Sequence, residues 1–197
     1  MKIKLCGVRT VPDALLCAAE GADEIGVVFA ARSRRRVTVE EAKDIRLSLP
    51  AHVPLVGVFA DASLEEVERI AREVGLQAAQ LHGRWPGAPA SLPLYAALQV
   101  ISEASLEPRP GAARLLLDGP AAGSGTSFAW ELARKARALH GGEVFIGGGL
   151  TAENVARAIA EAQPSGVDVA SGVEGPDGFK DRGRVRAFVA AARKAVR

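Results

Sequence analysis

Residues 53–82 read "VPLVGVFADASLEEVERIAREVGLQAAQLH", an apolar run, a helical pattern and a second apolar run in direct succession. The middle stretch opens on Ser63 with Glu66 three positions on, the pattern of a capping box, and sets Leu64, Val67, Ile70, Ala71 and Val74 on one helical face. The first flanking run is continuously apolar, as in a strand covered on both sides. This strand, helix, strand unit recurs, with strand candidates at "IKLC", "EIGVVF", "VPLVGVF", "QAAQLH", "LYAALQVI", "RLLLD", "EVFIGG" and "GVDVASG". "TVEEAKDI" repeats the capping device with Thr38 and Glu41, and "TAENVARAIAEA" is expected to begin its helix at an N-cap Thr151. Eight such strands favour a closed (β/α)8 TIM barrel in the α/β class over an open doubly wound sheet. At 197 residues the barrel is small, with residues 1–197 forming a single domain around one core. "GRWPGAPASLP" and "SEASLEPRPGA", after the fourth and fifth strands, hold too much proline and glycine for full helices, so those helices should be vestigial.

Composition removes several classes of function. A net charge of +2 argues against general nucleic-acid binding, although "RSRRR" at 32–36 stays open between a solvated loop and a functional patch. The amino end has no secretory pattern, and the longest apolar stretch is too short to span a bilayer, so the expected location is the cytoplasm, with no membrane partner. Cys6 and Cys17 cannot build a disulfide framework, and with three scattered histidines they match no metal-ligand spacing. No metal site is expected.

In a barrel of this kind the carboxyl ends of the strands converge on one mouth. Alternation along the first strand puts Lys2, Lys4 and Cys6 on one face and Ile3 and Leu5 on the other, which packs against helices. Cys6 therefore points into the mouth, and the same parity brings Asp118 inward beside Leu116 at the end of "RLLLD". Alone, a cysteine is usually a small buried hydrophobe and an aspartate after a strand a turn residue. Facing one pocket, the two can divide proton transfer between them, which is an isomerase's equipment. Lys4 lies one layer deeper, as does Asp168 on the eighth strand, and these strands pair where the barrel closes. A buried Lys4–Asp168 ion pair beneath the site is the expected result.

Glycines mark the last two strands. "IGGGLT" and "ASGVEG" offer backbone N–H groups around Gly148, Gly149, Ser171 and Gly172, in the quarter of a barrel where phosphate commonly binds. "GSGTS" at 123–127 lacks the lysine of a P-loop.

Taken in order, "KIKLCGVRTVPDA", "QLHG", "LLLD", "GSGTSFAW", "IGGGLTAENV" and "GVDVASGVEGPDGFKD" resemble the phosphoribosylanthranilate isomerase family nearly end to end. The resemblance implies an Amadori rearrangement of N-(5-phospho-β-D-ribosyl)anthranilate to the 1-deoxyribulose 5-phosphate, in tryptophan biosynthesis and without a cofactor. It implies Asp118 as the general acid at the ribose ring oxygen, Cys6 as the general base at C2, Arg35 as the partner of the anthranilate carboxylate and His82 as a pocket-lining residue. Where the family usually has proline, arginine and tyrosine, this chain has Arg34, Arg35 and Arg36, so a neighbour could share that role. Ala129 replaces a frequent aspartate at a helix start. The only partner implied is the small phosphosugar, bound by a monomer or homodimer. Two other readings stand beside this one: another phosphosugar barrel, such as an epimerase or an indole-glycerol-phosphate synthase, and a non-catalytic or flavin-binding phosphate barrel. The pairing of Cys6 with Asp118 counts against the second.

Overall fold

The computed structural model describes residues 1–87, 89–100, 102, 106, 109–119 and 127–196. Eight strands, β1 (Lys2–Cys6), β2 (Glu24–Val28), β3 (Leu55–Ala60), β4 (Ala78–His82), β5 (Leu94–Gln99), β6 (Arg114–Asp118), β7 (Glu143–Gly147) and β8 (Gly166–Val169), close into a parallel barrel in chain order. Six helices lie outside it: α1 (Val11–Ala19), α2 (Val39–Ser48), α3 (Leu64–Val74), α4 (Ser127–His140), α5 (Val155–Ala162) and α6 (Arg182–Lys194). No helix appears among the described residues between β4 and β5 or between β5 and β6. Residues 123–126 of "GSGTS" lie outside the described residues.

Alternation decides what each strand residue meets. Ile3, Leu5, Ile25, Val27, Val144 and Val167 are fully buried in the layer between strands and helices. The opposite parity fills the barrel, where the register sets Lys4 beside both Glu24 and Asp168, and Cys6 beside Gly26. Gly26 is small for a reason: a Cβ there would stand 2.8 Å from the Cys6 Sγ.

The helix starts follow the sequence with two corrections. Thr38 and Glu41 form the full reciprocal box. At α3 only half is made, with the Glu66 N–H donating to Ser63 Oγ and no return bond to the Ser63 backbone. The left-handed Gly75 at φ 77° closes that helix. Thr151 is not the N-cap of α5. Residues 151–154 instead fold into a turn held by Asn154, whose Oδ1 accepts from the Thr151 N–H at 2.8 Å and whose Nδ2 donates to the Gly149 carbonyl at 2.9 Å. The helix starts only after that turn, with Asn154 at the cap position.

Candidate active site

At the carboxyl ends of the strands lies a cavity of about 430 Å³. Its lining brings together Cys6, Arg35, His82, Asp118, Gly148, Gly149 and Ser171. Gly172 faces an adjoining cavity that shares Gly149, Leu150 and Ser171 with the first. A side chain at Gly172 would overlap the Leu150 carbonyl oxygen, so this glycine lets the loop after β8 close onto the loop after β7.

Cys6 sits in an apolar cluster with Val28 and Val58, against which Ala30 and Ala170 pack. Burial pushes its thiol above the ordinary value of 9.0, while the Lys4 and Lys180 ammonium groups pull it back and Asp168 adds to the rise. The thiol is therefore the resting form at neutral pH. Asp118 is pushed up to about 6, first by burial and then by the nearby Asp168 carboxylate, with Lys4 opposing. A carboxyl of that kind holds a proton close to the range in which it can donate one.

The floor of the cavity is ionic. Lys4 is 1% exposed, and its Nζ donates to Asp168 Oδ1 and Gln80 Oε1, both at 2.9 Å. Burial disfavours its ammonium, but Asp168 and Cys6 more than offset this and hold the group above its usual range. Gln80 passes the connection on, with its Nε2 lying 3.0 Å from His82 Nε2. An amide NH2 only donates, so His82 accepts there and carries its proton on Nδ1. Burial and then Lys4 keep this imidazole below its ordinary pKa, hence neutral.

Among the three arginines, the structure distinguishes Arg35. Its side chain is 21% exposed and lines the cavity, whereas that of Arg34 is 72% exposed. Sequence reasoning did not reach Arg35's own partner, Glu174, or the Lys180 beside it. Both sit in the irregular segment after β8, where no period marks which way a side chain points.

Comparison with known proteins bears on what this cavity does. Residues 3–191 match the family model described as N-(5'phosphoribosyl)anthranilate (PRA) isomerase. The enzyme of that name from Rubrobacter xylanophilus is 44% identical over 98% of both chains. The crystal structure of the phosphoribosyl anthranilate isomerase from Thermus thermophilus is 37% identical, covers 100% of both chains and superposes with a TM-score of 0.86. Another, in complex with reduced 1-(o-carboxyphenylamino)-1-deoxyribulose 5-phosphate, is 32% identical over 98% of this chain and 99% of its own, with a TM-score of 0.85. Likeness at this level along almost the whole length, in sequence and in backbone alike, means that the chain belongs to the N-(5'-phosphoribosyl)anthranilate isomerase family.

Proposed function

We propose that this isomerase performs the Amadori rearrangement of N-(5'-phosphoribosyl)anthranilate with Asp118 as general acid and Cys6 as general base. Asp118 gives its proton to the ribose ring oxygen as the C1–O bond breaks, and the nitrogen lone pair closes a Schiff base at C1. The Cys6 thiolate then takes the proton from C2, and the electron pair left there neutralises the iminium to give an enolamine. Protonation at C1 and loss of the enol proton yield the ketose. Asp118 gives one proton and Cys6 takes one, and the last tautomerisation shifts a proton from the enol oxygen to C1 without changing the total, so the route balances with no cofactor.

The substrate's two anionic ends have separate receptors. Arg35 takes the anthranilate carboxylate, because a planar guanidinium matches a planar carboxylate. The ring lies along the apolar wall of Val28, Val58 and Phe59. Backbone groups at Gly148, Gly149, Ser171 and Gly172, after β7 and β8, hold the phosphate. We place the enzyme in the cytoplasm, as a monomer or homodimer. Among the described residues no helix is long and apolar enough to cross a membrane.

The observation that carries the mechanism is one cavity holding a raised carboxyl and a buried thiol with a lysine beneath them. It is tested by following the fluorescence loss of freshly generated phosphoribosylanthranilate. Cys6→Ser and Asp118→Asn should each fold and lose roughly 10²- to 10⁴-fold in kcat. Wild-type turnover in either variant removes that residue from the mechanism.

A further inference from the structure

Arg35 is already held along one side of its fork. Its Nε and Nη2 donate to Oε1 and Oε2 of Glu174 at 2.5 and 2.9 Å. A guanidinium has five N–H bonds, so this side-on grip leaves the Nη1–Nη2 edge, the one suited to a second bidentate carboxylate, uncommitted by Glu174.

Glu174 is itself firmly placed. Its side chain is 4% exposed, and its carboxylate is also met by Arg34 at 3.2 Å and by the fully buried Lys180 at 3.4 Å. Lys180 Nζ is fixed in turn by the Ala170 carbonyl at 3.0 Å. The segment between Glu174 and Lys180 folds back on itself, the two ends forming an antiparallel bridge and the Gly175 N–H donating to the Phe179 carbonyl at 2.9 Å. Arg9 clamps its outer turn, bonded to the Gly178 carbonyl at 2.8 Å with its guanidinium 4.0 Å above the Phe179 ring. On the other side of Arg35 stands Gly7, where any side chain would overlap the Arg35 Cδ. Arg35 is thus confined between a glycine and a buried carboxylate.

We propose that Glu174 is a positioning residue for substrate selection: it grips Arg35 side-on and so presents the remaining edge of the guanidinium to the anthranilate carboxylate, with Lys180 as its buried counter-charge. The proposal rests on the reading that Arg35 meets that carboxylate. Glu174 does not touch the substrate. It supplies the angle and rigidity that a long, four-torsion side chain at the mouth of a barrel lacks. Because three cations surround one carboxylate, the corner keeps a net positive charge and still attracts an anion.

The test compares two ligands, the reduced product analogue 1-(o-carboxyphenylamino)-1-deoxyribulose 5-phosphate and its phenylamino counterpart without the carboxylate. Calorimetric titration of Glu174→Gln should show about tenfold weaker binding of the first and an unchanged second. Arg35→Ala should show the same selective loss, and the double variant should lose no more than Arg35→Ala alone. A merely structural role for Glu174 would weaken both ligands equally, and that result overturns the proposal. So does a selective loss in Arg35→Ala with no change of selectivity in Glu174→Gln, which leaves the reading of Arg35 intact. If Arg35→Ala weakens both ligands equally, the reading of Arg35 fails and the proposal with it. Should Glu174→Gln not fold because Lys180 is left unpaired, Glu174→Gln with Lys180→Met removes both buried charges and takes the same two titrations.

Discussion

Arg114 and Glu24 clasp each other across the inside of the barrel, Nη1 to Oε2 at 2.6 Å and Nη2 to Oε1 at 2.7 Å. They are the first residues of β6 and β2, which stand on opposite sides of an eight-stranded ring, so the pair spans the end away from the cavity. Glu143 also accepts from Arg114 Nη2 at 2.7 Å, and Tyr95 and Phe145 cover the guanidinium with ring centroids at 4.0 and 3.7 Å. Only Gly166 could lie under Phe145, since a Cβ there would run into the ring.

Arg114→Met should therefore cost roughly 3–5 kcal/mol, because it removes both short ionic hydrogen bonds from the nearly buried Glu24 carboxylate and leaves it Lys2 at 4.0 Å. Adding Glu24→Leu should return a large share of that loss. Turnover below the melting range should hardly change in either variant, as both positions lie far from the mouth. Guanidinium denaturation midpoints measure the first effect and the fluorescence assay the second. A midpoint equal to wild type for Arg114→Met would mean that the clasp contributes nothing.

Lys4 and Asp168 form the second buried pair, beneath the proposed catalytic groups. Lys4→Met should destabilise by roughly 3–5 kcal/mol, while Lys4→Met with Asp168→Leu should recover much of it. Gln80 also loses its donor in both, so recovery will be incomplete. Strictly additive midpoints for the two singles and the double would dissolve the pair.

Under the proposed mechanism the pH–rate profile follows from the order of the Asp118 and Cys6 pKa values. Asp118 is raised to about 6 and Cys6 lies above 9.0, yet the mechanism needs the carboxyl protonated and the thiol ionised. That state carries one proton between the two groups, as does the resting state with carboxylate and thiol, so its share is small but constant wherever one proton is bound. Stopped-flow kcat/KM should rise through about pH 6, stay flat across neutrality and fall only on the alkaline side. A decline beginning near pH 6 would show that Cys6 is not the base.

Asp118 also predicts a gain in stability from its own removal. Its folded pKa of about 6 exceeds the ordinary 3.8, so the stabilising proton is fully present below about pH 3.8 and is lost as pH rises through 6. At neutral pH the protein holds an ionised carboxyl that burial disfavours. Asp118→Asn should melt higher than wild type at pH 7.5 by the equivalent of about 2 kcal/mol, allowing for the water the carboxyl still touches, and the gap should close near pH 4. Equal stability at both pH values would refute the burial of that charge.

The parts of this protein with a period are legible in its sequence. Alternation with a step of two brought Cys6, Asp118, Lys4 and Asp168 inward, and the Lys4–Asp168 ion pair is made as the register requires. Three things escaped. The Arg114–Glu24 clasp joins strands that are not neighbours and residues 90 positions apart, so no local pattern pairs them. The start of α5 was misplaced because threonine is a good cap in general, whereas here Asn154 ties the preceding turn to Gly149. Glu174 and Lys180 sit in an irregular strap, where orientation comes from tertiary contacts alone. The choice among Arg34, Arg35 and Arg36 is open in the sequence for the same reason; the structure packs Arg35 between Gly7 and Glu174 at the cavity, which supports the proposal that Arg35 meets the carboxylate.

Asn154 gives the molecule an ageing point. It is the chain's single asparagine, and the loop that carries Gly149 hangs on its side-chain amide. Hydrolysis of that amide to a carboxylate would keep the acceptor for Thr151 but set a negative oxygen against the Gly149 carbonyl, beside the proposed phosphate receptor. One slow covalent change, invisible to the fold of the barrel, would then weaken phosphate binding first and leave Cys6 and Asp118 untouched. In stored or heated enzyme, KM should drift upward before kcat declines.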